Sequence, residues 1–238
     1  MIWGSFRCIA AKSNSRLFTC RFDGEEGKRK GCRMKEERVI FTSQDLNIEG
    51  LISESRGRKG VVVTHPHPLY GGSMDNNVVE SVARVYGEKG YTTLRFNFRG
   101  VGRSQGTYDN GTGEQEDVRA AVAYLAQLGT TFIDLAGYSF GAWINAQCIE
   151  RLTHVRGMIM VSPPVNFLDF SFLRACPKIR LVIAGAEDDI APPGMIEEVL
   201  PAWSPDAAFR IIKGADHFYR GKTHEIETTI GGWIDLKG

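Results

Sequence analysis

The sequence is short of several features, and each absence removes a class of protein. No apolar run approaches the roughly 20 residues that a membrane-spanning helix requires. Neither sign of charge is in surplus, since 29 Lys and Arg face 28 Asp and Glu for a net charge of +1. Nucleic acid is therefore not an expected partner. Cysteine is sparse and unpatterned. Cys8, Cys20, Cys32, Cys148 and Cys176 form no C-x-x-C pair and no Cys/His zinc spacing. Reduced thiols in a cytoplasmic protein account for them best. No internal repeat or low-complexity segment occurs. With 42% hydrophobic and 24% charged residues, the chain is neither disordered, collagen-like nor a disulfide scaffold. At 238 residues it can bury a core without a metal or disulfide to hold it.

Charge is unevenly placed. Residues 1–35 hold nine Lys and Arg against three Asp and Glu, and the remainder holds 20 against 25. Two parts follow: a basic N-terminal extension over 1–35 and one domain over 36–238. Up to Phe22 the extension has Arg7, Lys12, Arg16 and Arg21 and no acid, the composition of an organelle transit peptide. Gly24 to Lys35 reads as linker. A translation start at Met34 is the reading preferred for the same segment, an unstructured true tail comes next and a targeting peptide last.

From residue 36 strand and helix alternate. Arg38–Thr42 and Leu46–Ser53 suit an antiparallel hairpin around a polar turn. Gly60–Thr64 is a short, wholly apolar run, as a buried parallel strand requires. Asn76–Glu88 has helical spacing, and Thr92–Asn97 is the next strand. Glu114–Leu128 is an amphipathic helix with Val118, Ala121, Val122, Leu125 and Leu128 on one face. Strand Thr131–Ala136, helix Phe140–Arg151, strand Gly157–Ser162, a short linking helix near Phe167–Arg174 and strand Ile179–Ala184 follow. Helix Pro193–Trp203, strand Ala208–Ile212 and helix Thr223–Leu236 complete the chain. Such alternation predicts an α/β fold: a mostly parallel central sheet with an N-terminal antiparallel hairpin and helices on both faces.

The chemistry sits at Gly137-Tyr138-Ser139-Phe140-Gly141. This is G-x-S-x-G directly after a strand and directly before a helix. A turn that tight strains the serine and presents its Oγ above the sheet. The helix starting there aims N–H groups at the spot where negative charge develops during acyl transfer. A serine hydroxyl needs a base, and the base needs an orienting acid. Three histidines lie downstream. His154 comes before any acid loop, and His224 falls at the start of the last helix. His217, in Gly214-Ala215-Asp216-His217-Phe218 after the last strand, is the candidate base. The acid is expected after Ile179–Ala184, where Glu187, Asp188 and Asp189 stand together. Asp188 is favoured, ahead of Asp189 and then Glu187. Asp216 is too close in sequence to reach its neighbour's ring and is read as holding the loop through backbone N–H groups.

Two N–H donors are expected to receive the oxyanion. One is that of Phe140. The other should come from His65-Pro66-His67-Pro68-Leu69-Tyr70-Gly71-Gly72. Proline has no N–H, so His67 comes first and Leu69 second. His65 and His67 could hold a metal in principle, but no carboxylate or Cys completes a site. No metal and no cofactor are expected.

Three motifs carry a family resemblance. His65 to Met74, Phe96-Asn97-Phe98-Arg99-Gly100-Val101-Gly102-Arg103-Ser104 and Gly214 to Phe218 resemble small lidless bacterial members of the α/β-hydrolase superfamily, related to dienelactone hydrolases and prolyl-peptidase-like enzymes. The resemblance spans residues 38–238 and implies the α/β-hydrolase fold, with Ser139, Asp188 and His217 as catalytic triad. Dienelactone hydrolases proper use a Cys nucleophile, which departs from Ser139. Arg99 and Arg103 read as structural, with Arg99 tying loops together.

Only 16 residues, Pro163 to Lys178, separate the strand after the nucleophile helix from the next. Any cap is minimal. Tyr70, Phe167 and Phe218 are candidate pocket residues beside Phe140. The expected activity is hydrolysis of a small or short-chain carboxylic ester through an acyl-enzyme on Ser139. A peptidase or thioesterase with the same triad, and a catalytically silent binding protein on this fold, are the alternatives.

Overall fold

The computed structural model describes residues 35–237. The basic extension lies outside the described residues except for Lys35. Seventeen consecutive positions, residues 37–53, set the first edge of the sheet. Strand β1 (Glu37–Ser43) folds back on β2 (Leu46–Ser53) with Ser43 opposite Leu46, across a two-residue turn at Gln44-Asp45. Gln44 takes a φ of 53°, as the tight turn of a hairpin demands.

The rest alternates. In chain order come β3 (Lys59–Thr64), α1 (Asn77–Glu88), β4 (Thr92–Phe96), α2 (Thr112–Gln127), β5 (Phe132–Tyr138), α3 (Phe140–Cys148), β6 (Val155–Val161), β7 (Ile179–Gly185), α4 (Pro193–Trp203), β8 (Ala208–Ile212) and α5 (Thr223–Lys237). They form one eight-stranded sheet of order β1-β2-β4-β3-β5-β6-β7-β8. Only the β1–β2 and β2–β4 pairs are antiparallel.

The apolar runs explain the layers. Successive strand residues point to opposite faces, so a strand covered on both faces must be apolar throughout. Val62, Leu94, Ile133, Leu135, Met158, Met160 and Val182 pack on one face against α2, α3 and α4. Val61, Val63, Ala136, Ile159, Val161, Leu181 and Ile183 pack on the other against α1 and α5. Arg99 lies buried against Asp117 of α2, with Nη2 to Oδ1 at 2.8 Å, and ties the loop after β4 to that helix. Cys148 and Cys176 are free and buried. No helix among the described residues is long and apolar enough to cross a membrane.

One predicted element is absent. Phe167–Arg174 forms turns rather than a linking helix. Phe170 and Leu173 are buried three residues apart, which imitates helical spacing. The polar groups are spent elsewhere. The Asp169 carboxylate accepts from the N–H and hydroxyl of Ser171, and the Asp169 carbonyl accepts from Trp143 Nε1 at 2.8 Å. An Asp that caps its own neighbour in this way competes with helix hydrogen bonding.

Candidate active site

Ser139, Ser162, Asp188 and His217 follow the C-terminal ends of β5, β6, β7 and β8, which run parallel. Parallel strands bring their following loops to one edge, where α/β proteins bind ligands. His67 follows β3 to the same edge.

The local sequence forces the serine into position. Ser139 has φ 54° and ψ −117° and is the N-cap of α3. Its flanking glycines are required by close approach. A Cβ on Gly137 would lie 2.5 Å from the backbone nitrogen of Ala142. A Cβ on Gly141 would lie 2.6 Å from the Thr64 carbonyl oxygen. The Ser139 N–H donates to the Val161 carbonyl at 2.9 Å, which fixes the turn to β6.

His217 Nε2 stands 3.0 Å from Ser139 Oγ. Nδ1 of the same ring is 2.9 Å from both carboxylate oxygens of Asp188. All three residues are buried. An ionised carboxylate beside Nδ1 makes that nitrogen the proton donor and leaves the Nε2 lone pair facing the serine hydroxyl. Burial opposes the Asp188 charge. Hydrogen bonds from His217, Ser162 and the Ala191 N–H outweigh it and hold the carboxyl below its ordinary range.

Asp189 and Glu187 are exposed. The Asp188 carboxylate folds over its own loop, and Oδ1 accepts from the N–H groups of Ile190 and Ala191 at 3.0 and 2.7 Å. The two loops are laced together by Glu187 N–H to the Ala215 carbonyl at 2.9 Å. Asp216 accepts from the Phe218 N–H at 3.0 Å, inside its own loop. His154 is exposed, and so is His224, which faces Glu227 at 3.8 Å.

On the other flank, His65 is fully buried. Its Nε2 accepts from the Phe98 N–H at 3.0 Å, so Nδ1 carries the proton and donates to the Pro66 carbonyl at 2.6 Å. Both ring nitrogens are used to pin the loop. Burial lowers its pKa to about 4, which keeps the ring neutral. The Leu69 N–H donates to His67 Nδ1 at 3.2 Å. The N–H groups of His67 and Phe140 donate to nothing among the described residues. The His67 ring packs on Tyr70, Tyr108 and Phe140, with centroids 4.8, 5.1 and 4.7 Å away. Tyr70 is 88% exposed, Phe167 69% and Phe218 50%. They stand as open walls rather than a closed pocket.

Three side chains here carry no signal in the sequence reading. Ser162 Oγ lies 2.6 Å from Asp188 Oδ2 and 2.7 Å from the Tyr219 hydroxyl. The Tyr138 hydroxyl donates to the His217 carbonyl at 2.7 Å. Tyr138 occupies the variable second place of G-x-S-x-G, and Tyr219 comes two residues after His217. Only their place beside the motifs could have marked them.

Comparison with known proteins gives consistent matches. Residues 61–229 match the alpha/beta hydrolase family. An uncharacterised protein of Rickettsia prowazekii is 37% identical over 208 residues, covering 82% of this chain and 87% of that protein. An alpha-beta serine hydrolase homologue from Coxiella burnetii has a structure that aligns at a TM-score of 0.77 and 35% identity, over 82% of this chain and 95% of the other. A serine hydrolase without lid from Xanthomonas campestris aligns at 0.78 and 29% identity, over 85% and 94%.

Proposed function

The chain belongs to the alpha/beta hydrolase family, and from that premise we propose that it is a cofactor-independent serine hydrolase that cleaves small or short-chain carboxylic esters. The observation that carries the reading is the continuous path from Ser139 Oγ through His217 to Asp188, at 3.0 and 2.9 Å. Ser139 Oγ attacks the acyl carbonyl while its proton passes to His217 Nε2. The Asp188 carboxylate stabilises the imidazolium and fixes its orientation. The carbonyl oxygen becomes an oxyanion and accepts from the N–H groups of Phe140 and His67. His67 is preferred to Leu69 because the Leu69 N–H is already engaged. The imidazolium then protonates the departing alkoxide. Water, activated by the same His217, attacks the acyl-enzyme and releases the acid and Ser139.

Substrate size follows from the missing cover. β6 connects to β7 without a helix, and Tyr70, Phe167 and Phe218 leave the site open. A long acyl chain would keep most of its apolar surface in water and so forgo about 0.8 kcal/mol of binding for each CH₂ left uncovered. The test is fluorophosphonate labelling of Ser139, followed by hydrolysis of p-nitrophenyl esters of rising chain length. Labelling at Ser139 with kcat/KM greatest for short esters is the expected result. An unlabelled Ser139 would overturn the mechanism, and a rising preference for long chains would overturn the substrate class.

A further inference from the structure

We propose that Ser162 and Tyr219 are positioning residues: their hydroxyls form a buried donor chain that holds the second carboxylate oxygen of Asp188 and so sets the strength of the Asp188–His217 hydrogen bond. The inference rests on the reading of Ser139 as nucleophile and assigns a role to two residues outside the triad.

The direction of the chain follows from its end point. An ionised carboxylate only accepts, so Ser162 Oγ donates to Asp188 Oδ2 at 2.6 Å. Its single proton is then spent. The Tyr219 hydroxyl, 2.7 Å away, must therefore donate to Ser162 Oγ. Both residues are fully buried, so water does not compete for these bonds. Burial raises the Tyr219 hydroxyl well above its ordinary range, so it remains a donor throughout the working pH range. Oδ1 of Asp188 is filled by the Ile190 and Ala191 N–H groups. Without Ser162, Oδ2 would have only the His217 ring.

A second observation is independent of those distances. Six non-glycine residues among those described have positive φ, and three of them are Ser139, Ser162 and Tyr219, at 54°, 45° and 50°. Such conformations cost energy in residues with a Cβ and gather where the surrounding structure requires them. Glycine would relieve the strain at position 162. A serine there is accounted for by its hydroxyl, which the strained backbone aims at Asp188. The Ser162 N–H is held by the Ile183 carbonyl at 2.7 Å, so the strain is locked to β7, the strand that leads into the Asp188 loop.

The consequence is electrostatic. A donor on Oδ2 draws charge from the carboxylate and weakens its pull on the His217 proton. Other titratable groups facing the chain are Asp216, His217 and Tyr138, and the Tyr138 ring stands 6.3 Å from that of Tyr219. None of them donates to Asp188 Oδ2 except His217.

The experiment compares wild type with Ser162→Ala, Tyr219→Phe and the double variant. The first readout is the rate of Ser139 phosphonylation by a fluorophosphonate from pH 5 to 9. The second is the downfield proton resonance of His217 Nδ1, which needs no turnover. Ser162→Ala should lower the plateau rate about tenfold, since small misplacements of reacting groups are costly. Its acid limb should move to higher pH, and the Nδ1 proton further downfield. Tyr219→Phe should act in the same direction but less. The double variant should lose no more than Ser162→Ala, because Tyr219 acts only through Ser162. Additive losses with an unmoved limb and an unmoved resonance would assign both residues to packing and overturn the proposal. Tyr219→Phe keeps the ring and decides the matter by the same resonance if Ser162→Ala does not fold. Wild type that resists labelling while the variants' resonance moves would sink the hydrolase reading and leave the hydroxyl chain standing. A labelled wild type with no movement in either readout would do the reverse.

Discussion

Gly141→Ala is the sharpest single test of how the fold aims Ser139. A Cβ at this position would lie 2.6 Å from the carbonyl oxygen and from Oγ1 of Thr64, the last residue of β3. Ordinary contact begins at 3.4 Å, so the first turn of α3 must retreat by about 0.8 Å. Thr64 cannot yield instead, because it is paired with Gly137 inside the sheet. Overpacking of this kind costs about 1–3 kcal/mol. For a domain of this size each kcal/mol lowers Tm by about 2–4 °C, so a fall of about 2–12 °C is expected. The same retreat carries Ser139 Oγ away from His217 Nε2 and the Phe140 N–H away from where an oxyanion would form, and a displacement near 1 Å can cost about 100-fold in rate. Calorimetry and kcat/KM on p-nitrophenyl acetate read the two effects. Gly232→Ala is the control. That glycine is exposed on α5 with nothing within 4 Å of a new Cβ, so the change should stabilise by about 0.5–1 kcal/mol and leave activity alone. A Gly141→Ala protein that melts and turns over like wild type would refute the reasoning.

Further outcomes are expected at other positions. Ser139→Ala should lower kcat by at least about four orders of magnitude with unchanged circular dichroism; full activity in that variant would remove the nucleophile assignment. Asp188→Asn should lose about 10⁴ in kcat, whereas Asp189→Asn, at an exposed position, should stay near wild type; the opposite pattern would move the acid by one residue. In Asp134→Asn, urea unfolding should show stability falling as pH drops from 6.5 toward 4, because the unfolded chain takes up a proton at His65 that the folded one, with its pKa lowered to about 4, refuses. The loss is about 3 kcal/mol by pH 4; in wild type most of it is offset by Asp134, whose carboxyl burial raises to about 6, so that the folded chain takes up that proton first. The depressed Asp188 adds to the loss only as pH falls further; a flat profile for the variant between pH 7 and 5 would contradict the buried neutral ring. A chain starting at Met34 should keep Tm and kcat/KM, whereas one starting at Arg38 loses Glu36, whose Oε2 sits 2.7 Å from the buried Arg95, and should fall by about 1–3 kcal/mol in chemical denaturation.

What the sequence made legible follows from how far each constraint reaches along the chain. The central strands were readable because a strand buried on both faces needs an apolar run, and Gly60–Thr64 or Leu181–Ala184 has no other use. Helix Pro193–Trp203 and strand Ala208–Ile212 have the bounds that their spacing predicts. The failure at Phe167–Arg174 arose where two buried side chains three residues apart imitate a helix, while Asp169 and Trp143 take the hydrogen bonds a helix would need. Ser139 stood out because it sits directly after β5 in a motif whose chemistry the turn geometry serves, and His217 because it sits in the loop that follows β8.

Ser162 and Tyr219 were not legible for the opposite reason. A serine after an apolar run and a tyrosine in a polar loop are ordinary in any local window. Their meaning depends on β6 and β7 being neighbours and on the β8 loop crossing back over them, which is a property of strand order rather than of spacing. Asp188 shows the boundary between the two cases. Its placement after β7 could be read, but its preference over Asp189 rested on the direction a loop would turn. The structure supplies the cause of that turn. The Asp188 N–H donates to the Gly185 carbonyl at 3.4 Å, and its carboxylate caps the N–H groups of Ile190 and Ala191. The cap curls the loop so that residue 188 faces the sheet edge and residue 189 faces water. An Asp that caps the residues two and three places ahead is a local pattern with a physical cause. In this chain that pattern, not the choice among three adjacent carboxylates, decides which acid reaches His217.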